Sequence, residues 1–170
     1  MKRTIRTASK QSGAQDRRII LYMEPDPSFA ETLHDAWVQF QFADALHIVH
    51  SCDEALQFLN SIQGSRGDAP VAAVVLDPDA TGEDTGAFVR DVRKYCGNAQ
   101  VPIVFWSRNS DKYKVLEGLG VESVLHKPMV MRLIQSLDAA CKLKVQHVQP
   151  FAGNHGFKHA YSQPGIGVGT

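Results

Sequence analysis

The run Val71 to Thr81, VAAVVLDPDAT, constrains the fold more than any other stretch of the chain. Apolar residues, three of them valine, follow one another without polar alternation and stop at Asp77. Such a run reads as a strand covered on both faces, which belongs in a parallel sheet with helices on each side. In open sheets of this kind ligands bind outside the carboxyl ends of the strands, where Asp77 would stand.

The rest of the chain supplies the partners such a strand needs. Ile19 to Met23 is a short apolar run closed by Glu24, Pro25, Asp26 and Pro27. Asp26 before Pro27 predicts a helix start, because an N-cap Asp accepts backbone N–H groups and proline suits the first helical position. Phe29, Leu33, Ala36, Trp37 and Phe40 then line one helix face. Leu46 to Val49 is a second strand, and Ser51-Cys52-Asp53-Glu54 is a capping box opening a helix with Ala55, Leu56, Leu59 and Ile62 inside. Gln63 to Ala69 reads as a loop. After Asp77, a turn-rich segment through Gly86 leads to a helix bearing Phe88, Val92 and Tyr95.

Val101 to Trp106 is a fourth strand ending in Ser107, and Ser110 to Leu119 a short helix with a sparse apolar face. Val124 to Leu125 is a brief fifth strand closed by His126-Lys127-Pro128, and Val130, Leu133, Ile134, Leu137 and Cys141 mark a final helix. Alternating strands and helices specify right-handed crossovers and an α/β architecture, a doubly wound five-stranded parallel sheet.

Residues 17–145 hold this whole pattern, as one compact domain among 170 residues of which 44% are hydrophobic and 21% charged. Residues 1–16 form a basic arm and 146–170 a Gly-, His-, Gln- and Pro-containing tail, both expected to be disordered. His155 and His159 have helical ligand spacing but sit in that tail, so no zinc site is expected. Eighteen basic and 18 acidic residues cancel, which argues against a nucleic-acid or membrane-surface footprint. Three scattered cysteines, Cys52, Cys96 and Cys141, support neither a disulfide framework nor a thiolate zinc site. With no stretch long enough to span a bilayer and no secretory signal, a soluble cytoplasmic protein is expected.

Chemistry concentrates at the strand ends. Strand one ends in Glu24, strand three in Asp77, strand four in Ser107 and strand five in Lys127, so one edge collects two acids, a hydroxyl and an ammonium. This order resembles the receiver domain of two-component response regulators: acidic residues after the first strand, an acceptor Asp after the third, Ser or Thr after the fourth, Lys-Pro after the fifth. The resemblance covers about Arg17 to Leu143 and implies a (βα)5 flavodoxin-like fold. Within the family, the small regulators paired with phytochrome-type kinases look most similar.

The resemblance implies that Asp77 takes a phosphoryl group from a sensor or hybrid histidine kinase. Glu24, Asp77 and the backbone carbonyl of Asp79 would hold Mg²⁺, with Lys127 on the phosphoryl oxygens and Ser107 hydrogen-bonded to one of them. Lys127-Pro128 would be cis. The protein would be a signalling switch rather than an enzyme beyond its own phosphorylation and dephosphorylation, acting through protein contact or a homodimer.

Departures from the family pattern qualify this. Pro25 stands where a second acid is expected, and either Asp26, otherwise a helix N-cap, or Asp79, otherwise a solvated loop acid, would compensate. Arg108 replaces a small residue after the hydroxyl, so it would shield a phosphoryl group or pair with an acid. Val124 replaces a switch aromatic. Two rival readings stay open: a receiver-like module that works without phosphorylation, and a small phosphatase similar to the haloacid-dehalogenase type, whose Asp-x-Asp-x-Thr motif is matched from Asp77 to Thr81, with Asp79 as general acid.

Overall fold

The computed structural model describes residues 17–63, 70–82, 84–96 and 101–146. The expected arm, the tail beyond Gln146 with His155 and His159, and nearly all of the loop before Val71 lie outside the described residues.

Five parallel strands form one sheet: β1 (Ile19–Met23), β2 (Ala45–Val49), β3 (Val71–Leu76), β4 (Ile103–Ser107) and β5 (Ser123–His126), in the order β2-β1-β3-β4-β5. The helices between and after them are α1 (Pro27–Gln39), α2 (Cys52–Gln63), α3 (Thr85–Tyr95), α4 (Ser110–Tyr113) and α5 (Val130–Cys141). This is the doubly wound sheet that the alternation predicted.

Alternate residues of each inner strand feed opposite cores, as the two-residue period of a strand requires. Leu21, Met23, Val74, Leu76, Ile103 and Phe105 pack with Ala55, Leu59, Phe88 and Val92 of α2 and α3 on one side. Ile20, Tyr22, Ala73, Val75, Val104 and Trp106 pack with Leu33, Trp37, Leu133 and Leu137 of α1 and α5 on the other. Both faces are covered by apolar side chains, which is why β3 carries no polar alternation.

Helix starts follow from local chemistry. Asp26 caps α1, its carboxylate accepting from Ser28 N–H at 3.0 Å. Ser51 Oγ accepts from Glu54 N–H at 3.2 Å, but the Glu54 carboxylate accepts from His50 N–H at 2.7 Å, so the reciprocal half of the capping box reaches one residue further back than expected. Asp84 opens α3, two residues earlier than Gly86 suggested, by accepting from Ala87 N–H at 2.7 Å. Asp84→Ala should cost about 1 kcal/mol, read as a lowered urea midpoint with an unchanged slope.

Two expectations need correction. Phe40 lies just past α1 and is 39% exposed, leaning on Phe42 at 6.0 Å between ring centroids instead of on the sheet. The single helix expected over Ser110 to Leu119 is a one-turn α4 followed by a 3-10 turn from Lys114 to Leu119. Its apolar residues are too few to hold a longer amphipathic helix on the sheet.

At the amino end of the sheet, Asp44 ties distant segments together. Its side chain is fully buried, accepts a fork from Arg18 at 2.9 and 2.9 Å, and accepts Lys144 N–H at 2.8 Å. Arg18 also donates to the carbonyls of Cys141 and Lys142 at 2.7 and 2.6 Å, fastening the end of α5 to the start of β1. No described helix is long and apolar enough to cross a membrane.

Candidate functional site

Strand register sets the site. Met23 of β1 lies opposite Leu76 of β3, and Asp77 N–H donates to the Met23 carbonyl at 3.1 Å. The next residue on each strand is an acid, so Glu24 and Asp77 leave the sheet side by side. Ser107 likewise pairs with His126, and Lys127 N–H donates to the Ser107 carbonyl at 3.0 Å. The Lys127-Pro128 peptide is cis. Four strand ends thereby bring Glu24, Asp77, Ser107 and Lys127 to one edge, at 0%, 7%, 0% and 3% exposure.

Lys127 is the hub. Its Nζ donates to Asp77 Oδ2 at 2.6 Å and also to Glu24 Oε2. A lysine so buried is tolerated because both neighbours are carboxylates. Tyr22 Oη donates to the same Glu24 Oε2 at 2.7 Å, and Asp26 N–H donates to Oε1 at 2.9 Å. Burial, then the charge of Glu24 and its hydrogen bond, push the Tyr22 phenol far above its ordinary range, so it acts only as a donor here. Phe29 and Trp106 wall the ammonium, their ring centroids 4.5 and 5.7 Å from Nζ. These rings attract the cation electrostatically.

Arg108 reaches the start of α1. Its guanidinium donates to Asp26 Oδ2 at 2.6 Å and lies 4.7 Å from the centroid of the Phe29 ring. It pairs with an acid, and that acid is the cap of α1. Asp26 is held below the ordinary carboxylate range by the Ser28 hydroxyl and N–H first and by Arg108 after them. Asp26 thus serves as helix cap through Oδ1 and as ion-pair partner through Oδ2. Pro25 is exposed and offers no side-chain ligand. Val124 is half-buried against the α2–α3 core.

Ser107 and Asp79 are joined directly. Ser107 Oγ donates to Asp79 Oδ2 at 2.8 Å, not to Asp77, and accepts Asn109 N–H at 2.9 Å. Tyr113 Oη donates to Asp79 Oδ1 at 2.6 Å, and Asn109 Nδ2 lies 3.3 Å from Oδ2. Burial works against the ionised Asp79 carboxyl, but the hydrogen bonds from Tyr113, Ser107 and Asn109 outweigh it and hold the group below its usual range. Burial and the Asp79 carboxylate push the Tyr113 phenol well up. Asp79 is thus an exposed acid whose carboxylate nonetheless accepts from three side chains. Asn109 and Tyr113 were not among the residues singled out from sequence. The one sequence signal for them was an acid two residues past Asp77, which requires donors from somewhere.

Among the described residues no three His, Cys, Asp or Glu side chains group as a metal cluster. Mg²⁺ needs less, since one or two carboxylates with water and phosphate oxygens complete its octahedron. Glu24 and Asp77 supply oxygen donors of the hard kind that Mg²⁺ takes.

No family model and no curated protein matches the sequence. Solved structures do match the fold. A sensor protein from Polaromonas sp. JS666 is 26% identical with a TM-score of 0.60, covering 74% of this chain and 96% of that one. The bacteriophytochrome response regulator AtBRR is 20% identical with a TM-score of 0.62, covering 79% and 99%. The receiver domain of a sensor histidine kinase from Pseudomonas aeruginosa PAO1, described with magnesium in its active-site cleft, is 18% identical with a TM-score of 0.58, covering 74% and 98%. With its β2-β1-β3-β4-β5 sheet and its acids at the carboxyl edge, the chain has the flavodoxin-like fold of the response regulator receiver domains.

Proposed function

We propose that this chain is a receiver that accepts a phosphoryl group on Asp77 from a histidine kinase in the cytoplasm and signals through protein contacts. The observation that carries this reading is the Lys127 ammonium lying 2.6 Å from a buried Asp77 at the carboxyl end of the central strand. An Asp77 carboxylate oxygen would bond to phosphorus while the P–N bond to the donor histidine breaks, the electron pair leaving on the imidazole nitrogen. Lys127, already beside that oxygen, would take up the negative charge arriving on the phosphoryl group. Glu24, Asp77 and the Asp79 carbonyl would hold Mg²⁺, which would add positive charge at the same oxygens.

Incubation with acetyl phosphate, with and without Mg²⁺, tests the reading by intact mass. A gain of one phosphoryl group in the parent and none in Asp77→Asn is expected. No gain under either condition would overturn it and favour a module that binds partners unmodified. That second reading has its own support: Asp79 already occupies the Ser107 hydroxyl, and Arg108 is already tied to Asp26.

A further inference from the structure

Asp79 joins two segments that a phosphorylated Asp77 would have to rearrange. It sits in the 3-10 turn directly after β3, and its own N–H donates to Asp77 Oδ1 at 3.0 Å. Among the described residues its carboxylate takes its side-chain donors from the end of β4 and the segment that follows: Ser107 Oγ at 2.8 Å, Tyr113 Oη at 2.6 Å and Asn109 Nδ2 at 3.3 Å. The burial is lopsided. Ser107 and Tyr113 are 0% and 5% exposed, whereas Asp79 lies open to solvent.

Buried hydroxyls need an acceptor, and a hydroxyl has one proton to give. Ser107 therefore cannot serve Asp79 and a phosphoryl oxygen together. An exposed carboxylate, by contrast, loses little on release, because water replaces its donors. A phosphoryl group on Asp77 brings about two negative charges and three acceptor oxygens to the neighbourhood of that carboxylate. It would compete for Ser107 and repel Asp79 in the same step.

Resting on the reading of Asp77 as the acceptor, we propose that Asp79 is a displaceable internal acceptor, a carboxylate that holds Ser107 and Tyr113 in the unmodified protein and yields Ser107 to the phosphoryl group. Tyr113 and α4 are released as Asp79 turns to water. Phosphorylation thereby loosens the segment from Ser107 to Tyr113, and Asp79 is a positioning residue that acts through Ser107 rather than on phosphorus.

Two readouts on the full chain test this. Hydrogen exchange without any phosphodonor compares parent and Asp79→Ala over residues 107–113. Losing a charge-assisted acceptor should speed exchange there about tenfold while β1 and β3 stay protected. Equal exchange would overturn the latch whether or not Asp77 is ever phosphorylated. Labelling with acetyl phosphate then follows mass and exchange together. The parent should loosen over residues 107–113 as it gains mass, and Asp79→Ala should gain mass about tenfold faster because Ser107 is already free.

A residue that merely supported the fold would slow labelling when removed, so the sign separates the two roles. Mass gain in the parent without loosening, or slower labelling of Asp79→Ala, would overturn the displacement. No mass gain in either protein would overturn the acceptor reading and, with it, the displacement step, while the exchange comparison still decides whether Asp79 holds the segment.

Discussion

Replacing Lys127 with methionine is expected to destabilise the protein by about 3–5 kcal/mol, because it strands buried carboxylates without their counter-ion. Glu24 is fully buried and the Asp77 side chain 9% exposed, and both rely on one ammonium whose own side chain is 1% exposed. Methionine keeps an unbranched stem between Phe29 and Trp106, so the loss is electrostatic rather than a packing defect. The check is a urea titration in which the midpoint falls while the slope holds. Adding Glu24→Gln to Lys127→Met removes one stranded charge and should recover part of the loss, as coupled neighbours do. A loss under about 1 kcal/mol would show that the acids do not depend on the lysine for their place in the fold.

The second large effect belongs to the other end of the sheet. Asp44→Ala removes the acceptor of a two-pronged Arg18 interaction and of Lys144 N–H. The Asp44 side chain is wholly buried but Arg18 is 21% exposed, so water recovers part of the cation's solvation. A loss of about 2–3 kcal/mol is expected, below that of a fully buried pair and above that of a surface one. Asp44→Asn should lose less, keeping an oxygen for Lys144 N–H and a neutral acceptor for Arg18. Hydrogen exchange adds a local readout: the Phe42–Val145 bridge should lose protection in Asp44→Ala and keep it in Lys127→Met.

How much of this was legible in the sequence depended on the range of the signal. β3 and its acid could be read because a buried parallel strand is an uninterrupted apolar run and its end is where polarity returns. The same logic placed Glu24, Ser107 and Lys127 at their strand ends, and parallel register turned four ends into one edge. Helix α1 was legible because its cap, Asp26, and its first residue, Pro27, are adjacent.

What failed was what depends on partners far along the chain. Asp44 looks like an ordinary acid in a short turn, and its meaning comes from Arg18 and Lys144, 26 and 100 residues away. Tyr22 counted only as an apolar strand residue; its phenol matters because Glu24 emerges on the same side of β1, two residues on. The segment after β4 was the weakest expectation for the same reason. It is held less by an apolar stripe than by Tyr113 and Asn109 reaching Asp79, a contact that no periodicity encodes. The pairing of Asp26 with Arg108 spans 82 residues and was not legible for the same reason.

The chain's two tryptophans offer an optical consequence. Trp106 is fully buried beside Lys127, and its indole nitrogen has no hydrogen-bond partner among the described residues. Trp37, 5% exposed, donates its indole N–H to the Asp44 carbonyl at 2.8 Å at the opposite end of the sheet. An unbonded indole in an apolar wall emits further to the blue than a hydrogen-bonded one. Trp37→Phe should therefore move the intrinsic emission maximum to the blue and leave Trp106, beside the ammonium, to report on the site end of the sheet.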